Sequence, residues 1–507
     1  MNRKEFLRTT PESVGIASGS IHRLLDRLES GFTEMHGLQI LRHGKICLEG
    51  WWSPYAPGIC HNLMSVTKTY TATAIGIAYT EGILKLTDRL IDIFPDDAPE
   101  KPDELLKLLT IRDLLCMGSG MESEPVPTKN WKKDFLATPI AHRPGTQFRY
   151  NSVGSSLLGA IIKKLTGLGL LAYLKPRLFD LIGIDADNLL WETMPDGMES
   201  GGAGLFATAE DNLRLMLLYS NGGAWEGTRI LAEDFVRQAI SPQIGSAVQA
   251  ELYPFAKDSF CGYGYQIWMC QPDGVYRADG AMGQFAIVDP RLDLIVSILE
   301  TGRGIDGPQK TLDAVWSFLE EIRSAKPVTE HPADYEPLLE RLAALSLPQP
   351  EYKPMSPHAD RFSKHTYMVA EGCLCLENQT LAAFCGLPLT KGISSFQFSF
   401  KPDICAMQFV QDGVSHSVTI ATDGTRALNK LKVTDSIATL VYLSGYWADE
   451  NTFLLKARWI ETSFEKDIRF HFDGSECRIT TSDPLGSVGP MGELNERPAV
   501  FELRIGS

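Results

Sequence analysis

Apolar and polar positions change rhythm twice along this chain. Two short apolar runs, Leu38-Gln39-Ile40-Leu41 and Ile46-Cys47-Leu48, stand on either side of His43-Gly44. That arrangement predicts two strands about a tight turn. A small, mostly apolar stretch then runs from about Ser65 to Thr80 and closes at Glu81-Gly82. Its length predicts a helix, and its apolarity on most faces predicts burial in the middle of a domain. A second helical pattern spans Ser155 to Leu174, interrupted at Gly167 and Gly169, and a third spans residues 205–220. The third is entered through Thr208-Ala209-Glu210-Asp211, a capping arrangement with aspartate in place of glutamate. Strand patterns return at Gln284–Val288 and Leu294–Leu299, joined through Asp289-Pro290-Arg291, and a helix from about Gln309 to Ser324 follows. Strands at both ends of a helical middle predict an α+β, three-layer domain whose terminal strands share one antiparallel sheet.

The rhythm changes again after residue 325. Pro327, Pro332, Pro337, Pro348, Pro350, Pro354 and Pro357 punctuate residues 326–362, which read as a linker holding one short helix near Leu338 to Leu345. From 363 to 507 the chain turns to short alternating runs such as Ser395-Phe396-Gln397-Phe398-Ser399-Phe400 and, at the tail, Ala499 to Ile505. This predicts a C-terminal all-β domain, a small barrel or a sandwich. A length of 507 residues suits such a division into a catalytic-sized domain (1–325), a linker (326–362) and a second domain (363–507).

Charge narrows the partners. A net charge of −15 and a pI near 5.2 oppose a nucleic-acid partner and docking on anionic membranes. The start, MNRKEFLRTTPESVGI, has no apolar core of the secretory kind, and no apolar run is long enough to span a bilayer. The ten cysteines form no C-x-x-C pair, so reduced thiols in a cytoplasmic protein are expected. Cys373 and Cys375 read as strand alternation rather than a zinc knuckle. No metal and no cofactor are expected.

Three segments carry candidate chemistry. In Ser65-Val66-Thr67-Lys68, a spacing of three along a helix puts a potential nucleophile and an amine on one face. The helix start adds positive potential and N–H groups near a developing oxyanion. A lysine serves as base only if burial or a neighbouring cation depresses its pKa. Alone the motif is weak, since about two chance matches are expected in a chain of this length; opening a long buried helix is what distinguishes this one. Phe148-Arg149-Tyr150-Asn151-Ser152 places a tyrosine before a helix, either at a cleft edge or simply half-buried. Ala278-Asp279-Gly280-Ala281-Met282-Gly283-Gln284 brings glycines before a strand, either to let backbone approach a ligand or as a plain turn.

The order and spacing of these segments resemble the serine β-lactamase and penicillin-binding protein superfamily, in detail its class C-related esterase branch. Thr110-Ile111-Arg112-Asp113-Leu114-Leu115 followed by Ser119-Gly120, and Gly202-Ala203-Gly204-Leu205-Phe206 running into Ala207–Asp211, are similar to further segments of that family. The resemblance covers about residues 10–325 and not the later β domain. It implies a β-lactamase-like catalytic domain in which Ser65 is acylated, Lys68 shares its proton and Tyr150 is general base. It also implies an oxyanion hole made by the backbone N–H groups of Ser65 and Ala281. Substrate-binding positions carried over are Asn151, Ser152, Ala278 and Gly280. Two of them depart from the family. Ser152 stands where asparagine is usual, with Asn151 before it. Ala278 stands where lysine or histidine is usual, removing a cationic anchor for a substrate carboxylate unless Arg149 or Arg277 compensates. A neutral ester or amide is therefore expected as the small-molecule substrate, ahead of a penicillin-type one.

No G-x-S-x-G elbow is present, which disfavours an α/β-hydrolase. His61 is read as structural, and Tyr263, Tyr265 and Trp268 as either acyl-pocket lining or core. The leading expectation is a serine hydrolase working through an acyl-Ser65 ester. Its rivals are a D-amino-acid peptidase or an acyltransferase of the same superfamily, and an inactive binding module that keeps the fold. The β domain is left with two roles, capping a cleft or self-association into a homo-oligomer.

Overall fold

The computed structural model describes residues 5–325, 328, 335–363, 365–369, 373–377, 381–433, 437–474 and 476–482. Residues 252, 332–334, 380 and 501–506 are described as backbone. Pro327, Ala499 and Val500, which enter the patterns above, lie outside the described residues. The chain divides into two compact units, Met1–Ser346 and Leu347–Ser507.

In the first unit the two predicted N-terminal strands form as β1 (Thr33–Arg42) and β2 (Lys45–Trp51). His43 and Gly44 both take positive φ, 50° and 70°, the geometry of a two-residue turn that matches strand twist. Four later strands complete an antiparallel sheet: β3 (Trp268–Met269), β4 (Tyr276–Gly280), β5 (Gln284–Asp289) and β6 (Leu294–Gly302), in the order β2-β1-β6-β5-β4-β3. β1 pairs with β6 from Thr33↔Gly302 to Arg42↔Leu294, so the two ends of the unit meet in the centre of the sheet. Every residue of β5 and β6 is buried, as expected of strands covered on both faces. The covering helices are α1 (Ser18–Leu28) and α5 (Gly307–Ser324), which pack on each other, and α4 (Ala209–Ser220), which packs on β1, β5 and β6.

The helical middle is built on α2 (Thr67–Thr80) and α3 (Ser152–Thr166), packed on one another. α2 is buried all round from Thr67 to Ala78. Its threonine hydroxyls are satisfied there: Thr69 donates to Gln266 O and Thr71 to Gly201 O, both at 2.9 Å. α4 starts with the reciprocal cap read from the sequence. Thr208 Oγ1 accepts from Asp211 N at 3.1 Å, and Asp211 Oδ2 accepts from Thr208 N at 2.9 Å. Thr208→Ala is expected to lower unfolding stability by about 1 kcal/mol, measured as a shift in the urea midpoint at unchanged slope.

The stretch read as linker is in part a helix of the first unit. α6 (Pro332–Ala344) packs against α1 and β2, with Leu338 fully buried. Arg341 pairs with Asp26 and Glu29 at 2.8 and 2.7 Å. The compact boundary falls after Ser346.

The second unit is one ten-stranded sheet. Its strands are β7 (Thr366–Val369), β8 (Ile393–Phe400), β9 (Ile404–Gln411), β10 (Val414–Ala421), β11 (Ala427–Lys430), β12 (Leu440–Asp449), β13 (Thr452–Trp459), β14 (Phe464–Asp473), β15 (Glu476–Ser482) and β16 (Phe501–Gly506). They run in the order β10-β9-β8-β7-β16-β15-β14-β13-β12-β11, and Ala421↔Ser444 pairs β10 with β12, so the sheet nearly closes into a barrel. Alternation along β8 and β14 turns Phe396, Phe398, Phe400, Phe470 and Phe472 inward. Phe398 and Phe470 meet edge to face at 4.9 Å, and Phe362 stacks on Phe472 at 4.5 Å. The interior is a packed aromatic core.

Candidate active site

Ser65 sits in a single 3₁₀ turn, Met64–Val66, that leads directly into α2. Met64 is held at φ 48°, an uncommon conformation for a non-glycine residue. Asn62 Oδ1 accepts from Met64 N at 2.9 Å and Thr67 Oγ1 donates to Met64 O at 2.6 Å; both bonds fix the turn.

One helical turn on, Lys68 is buried to 1% exposure. Its Nζ lies 2.9 Å from Ser65 Oγ, 3.1 Å from Ser152 Oγ and 2.5 Å from Gly202 O. It also lies 4.8 Å from the centre of the Tyr150 ring. Tyr150 hydrogen-bonds Ser65, so the serine side chain is reached by both the amine and the phenol. Burial pushes the Tyr150 phenol well up, and the hydrogen bond to Ser65 offsets only part of this. Trp268 stacks on Tyr150 at 5.8 Å and is itself braced by Tyr263 at 4.7 Å.

Ala281 follows directly on the end of β4. Gly280 there has no room for a side chain: a Cβ would stand 2.3 Å from Leu63 O, two residues before the nucleophile. This close approach brings the turn 281–283, with Met282 at φ 68° and Gly283 at φ 95°, against the Met64–Val66 turn. Gly280 is thus a packing position for backbone.

Two carried-over substrate positions are corrected. Asn151 is buried and caps α3, its Oδ1 accepting from Gly154 N at 2.6 Å; Ser152, the first residue of the helix, is the one that meets Lys68. Ala278 is fully buried in the core, because strand alternation puts Asp279, not Ala278, on the half-exposed face. Neither arginine supplies an anchor for a carboxylate. Arg149 is tied to Glu122 O at 3.0 Å and Glu122 Oε2 at 3.3 Å. Arg277 is buried and donates to Asp279 Oδ2 at 2.7 Å and to Asp258 O and Met269 O, both at 3.2 Å. His61 donates through Nδ1 to Asn62 O at 2.9 Å, and its Nε2 meets His36 Nδ1 at 3.0 Å, a buried pair. Tyr263 and Tyr265 belong to the core.

Three site residues escape the sequence reading. Gly202 gives its carbonyl to Lys68 because Gly201 and Gly202 press onto α3; a Cβ on Gly202 would stand 2.3 Å from Ser152 O. The adjacent glycine pair was the available signal. Glu124 accepts from Val153 N at 2.9 Å; burial pushes its carboxyl up, and Val153 N–H and Lys68 pull it part of the way back. Nothing in its local sequence marks it. Asp279 lies inside a quoted motif, and burial raises its carboxyl against the pull of Arg277. Among the described residues no three His, Cys, Asp or Glu side chains group to hold a metal ion, and no single helix is long and apolar enough to cross a membrane.

A serine at the start of a buried helix, a lysine one turn on, and a tyrosine from the loop before a second helix, all against the edge of an antiparallel sheet, define a serine hydrolase of the β-lactamase-related class. The β-lactamase family model matches residues 25–317, and the chain belongs to that family. The 6-aminohexanoate-dimer hydrolase of Paenarthrobacter ureafaciens is 23% identical over 296 residues, 54% of this chain and 74% of that one. Penicillin-binding protein 4 of Amycolatopsis lactamdurans is 26% identical over 281 residues, covering 47% and 71%. A solved Bacillus anthracis structure, "Putative 6-aminohexanoate-dimer hydrolase", superposes with a TM-score of 0.51 at 18% identity, covering 63% of this chain and 87% of that one.

Proposed function

We propose that the protein hydrolyses a small ester or amide through a covalent acyl-Ser65 intermediate, with Lys68 and Tyr150 as the general-base pair. The observation that carries this reading is the convergence of Lys68 Nζ, at 2.9 Å, and the Tyr150 hydroxyl on Ser65 Oγ. The serine proton passes to this pair as Oγ attacks the carbonyl carbon. The N–H groups of Ser65 and Ala281 receive the oxyanion, and the leaving alcohol or amine takes the proton back. Water then repeats the sequence on the acyl-enzyme. An alcohol or amine in place of water gives acyl transfer from the same intermediate. The intact trio supports an enzyme over an inactive module. The compartment we propose is the cytoplasm, supported by ten free thiols.

The test is intact-protein mass after incubation with a fluorophosphonate. One adduct is expected on the wild type and none on Ser65→Ala; an equal adduct on both would place the reactive serine elsewhere. The pH profile follows from Tyr150. Its raised phenol releases its proton only toward alkaline pH, and the phenolate is the stronger base toward Ser65. Ester hydrolysis is therefore expected to keep rising with pH up to and past the ordinary phenol value of about 10, with no plateau below it. A Tyr150→Phe variant that keeps the same rise would take Tyr150 out of the proton path.

A second reading, a peptidase for small amides bearing a free amine, is favoured by the carboxylates of Glu124 and Asp279, which share electrostatic coupling to Lys68. Competition between a D-alanyl ester and a simple aryl ester separates it from a general esterase: preference for the charged ester supports the peptidase.

A further inference from the structure

The C-x-C pair of the second unit does not sit in a strand. Residues 373–375 run without regular structure, held by Ile393 N donating to Leu374 O at 2.6 Å and Leu376 N to Gln411 Oε1 at 3.2 Å. Residues two apart in a strand would share a face, and the irregular segment keeps the two thiols on one side as well. Here they hydrogen-bond each other. The turn beneath them needs a glycine: Gly392 is at φ +90°, and a Cβ there would stand 3.0 Å from Cys373 Sγ and 2.8 Å from Leu374 O.

A cation completes the cluster. Lys466, on β14, places Nζ 3.2 Å from Cys375 Sγ and 3.3 Å from Cys375 O. The charged groups that act on the pair are Lys466 and, on the Cys373 side, Asp412. The bond from Cys373 and the ammonium of Lys466 together hold the Cys375 thiol well below its ordinary value, against the opposing effect of burial. Other buried thiols go the opposite way; burial pushes Cys47 and Cys116 up to about 12. Cys375 is nearly enclosed, while Cys373 is exposed beside it, so a small reagent can approach from the Cys373 side.

We propose that Cys375 and Cys373 form a reversible dithiol–disulfide couple that reacts with hydroperoxides, Cys375 attacking and Cys373 resolving. The Cys375 thiolate attacks the terminal oxygen of ROOH. The O–O bond breaks, RO⁻ leaves and takes a proton from solvent, and Cys375 becomes a sulfenic acid. The Cys373 sulfur then attacks Cys375; the S–O bond breaks, the S–S bond forms, and the thiol proton leaves with the hydroxyl as water. In sum, one hydroperoxide is reduced to ROH and water as two thiols lose two electrons and two protons.

The test treats the full chain with hydrogen peroxide and maps the product by intact mass and peptide fragmentation. Loss of two hydrogens, localised between Cys373 and Cys375 and reversed by dithiothreitol, is expected. Cys373→Ser should stop at a sulfenic acid on Cys375, captured by dimedone. Lys466→Met should slow oxidation of Cys375 at neutral pH by about tenfold and Lys466→Arg should largely preserve it, with both melting curves checked against the wild type. A first disulfide between other cysteines, or a dimedone adduct on Cys373 while Cys375 stays reduced, would overturn the proposal.

Discussion

Lys68→Met is expected to lower kcat/KM for a p-nitrophenyl ester by on the order of 10³- to 10⁴-fold, the contribution of a positioned proton-transfer group. Methionine keeps most of the volume of a side chain that is buried beside Tyr150 and Ser152, so packing changes little. What disappears is the nitrogen 2.9 Å from Ser65 Oγ. Without it the serine proton has only the Tyr150 hydroxyl to go to, and burial holds that phenol in its protonated form. The effect should fall on kcat and on fluorophosphonate labelling alike, with little change in KM, because the interaction is made with the nucleophile and not with the substrate. A loss smaller than tenfold, with labelling intact, would mean that proton removal does not run through Lys68.

Gly280→Ala is the second large effect. A methyl at 280 would press on Leu63 O at 2.3 Å, and both partners are backbone, so neither can rotate away. The end of β4 must move from the turn that carries Ser65, and the Ala281 N–H moves with it. Misplacing one oxyanion donor costs about 10²- to 10³-fold in kcat. The reading predicts that loss with KM within a few-fold of wild type and an unchanged far-ultraviolet circular dichroism spectrum. A variant with normal kcat would show that β4 does not supply the second donor.

The sequence and the structure agree where a local rule decides. The His43-Gly44 turn, the reciprocal cap at Thr208 and Asp211, and the burial of the Ser65–Thr80 stretch all follow from residues close together in the chain. The agreement ends where the outcome depends on residues far apart. Whether Asn151 or Ser152 meets Lys68 is a question of helix phase at the start of α3, and the cap onto Gly154 decides it. Whether Ala278 or Asp279 takes the part-exposed face is a question of strand phase in β4, which neighbouring strands set. Glu124 reaches the site from a loop with no pattern. Cys373 and Cys375 look like strand residues until the Gly392 turn and Lys466, which stands 91 residues beyond Cys375, are placed around them. The proline-rich 326–362 stretch shows the same limit: what anchors α6 is Arg341 meeting Asp26 and Glu29.

The pairing of β1 with β6 sets an order of events during synthesis. Thr33 finds its partner in Gly302, so the ribosome must make nearly the whole first unit before the central ladder can close. Contacts this remote carry a large loop-closure cost and make for slow folding. Ser65 is made early, but β4, the strand packed against its turn, is made late. A nascent or prematurely ended chain stopping short of Gly280 therefore holds Ser65 and Lys68 without a working site. Its half-finished sheet exposes β1 as an unpaired edge, the kind of surface on which unfinished chains aggregate or chaperones act. The residues proposed to carry the chemistry thus come together only once the chain has committed to its complete fold.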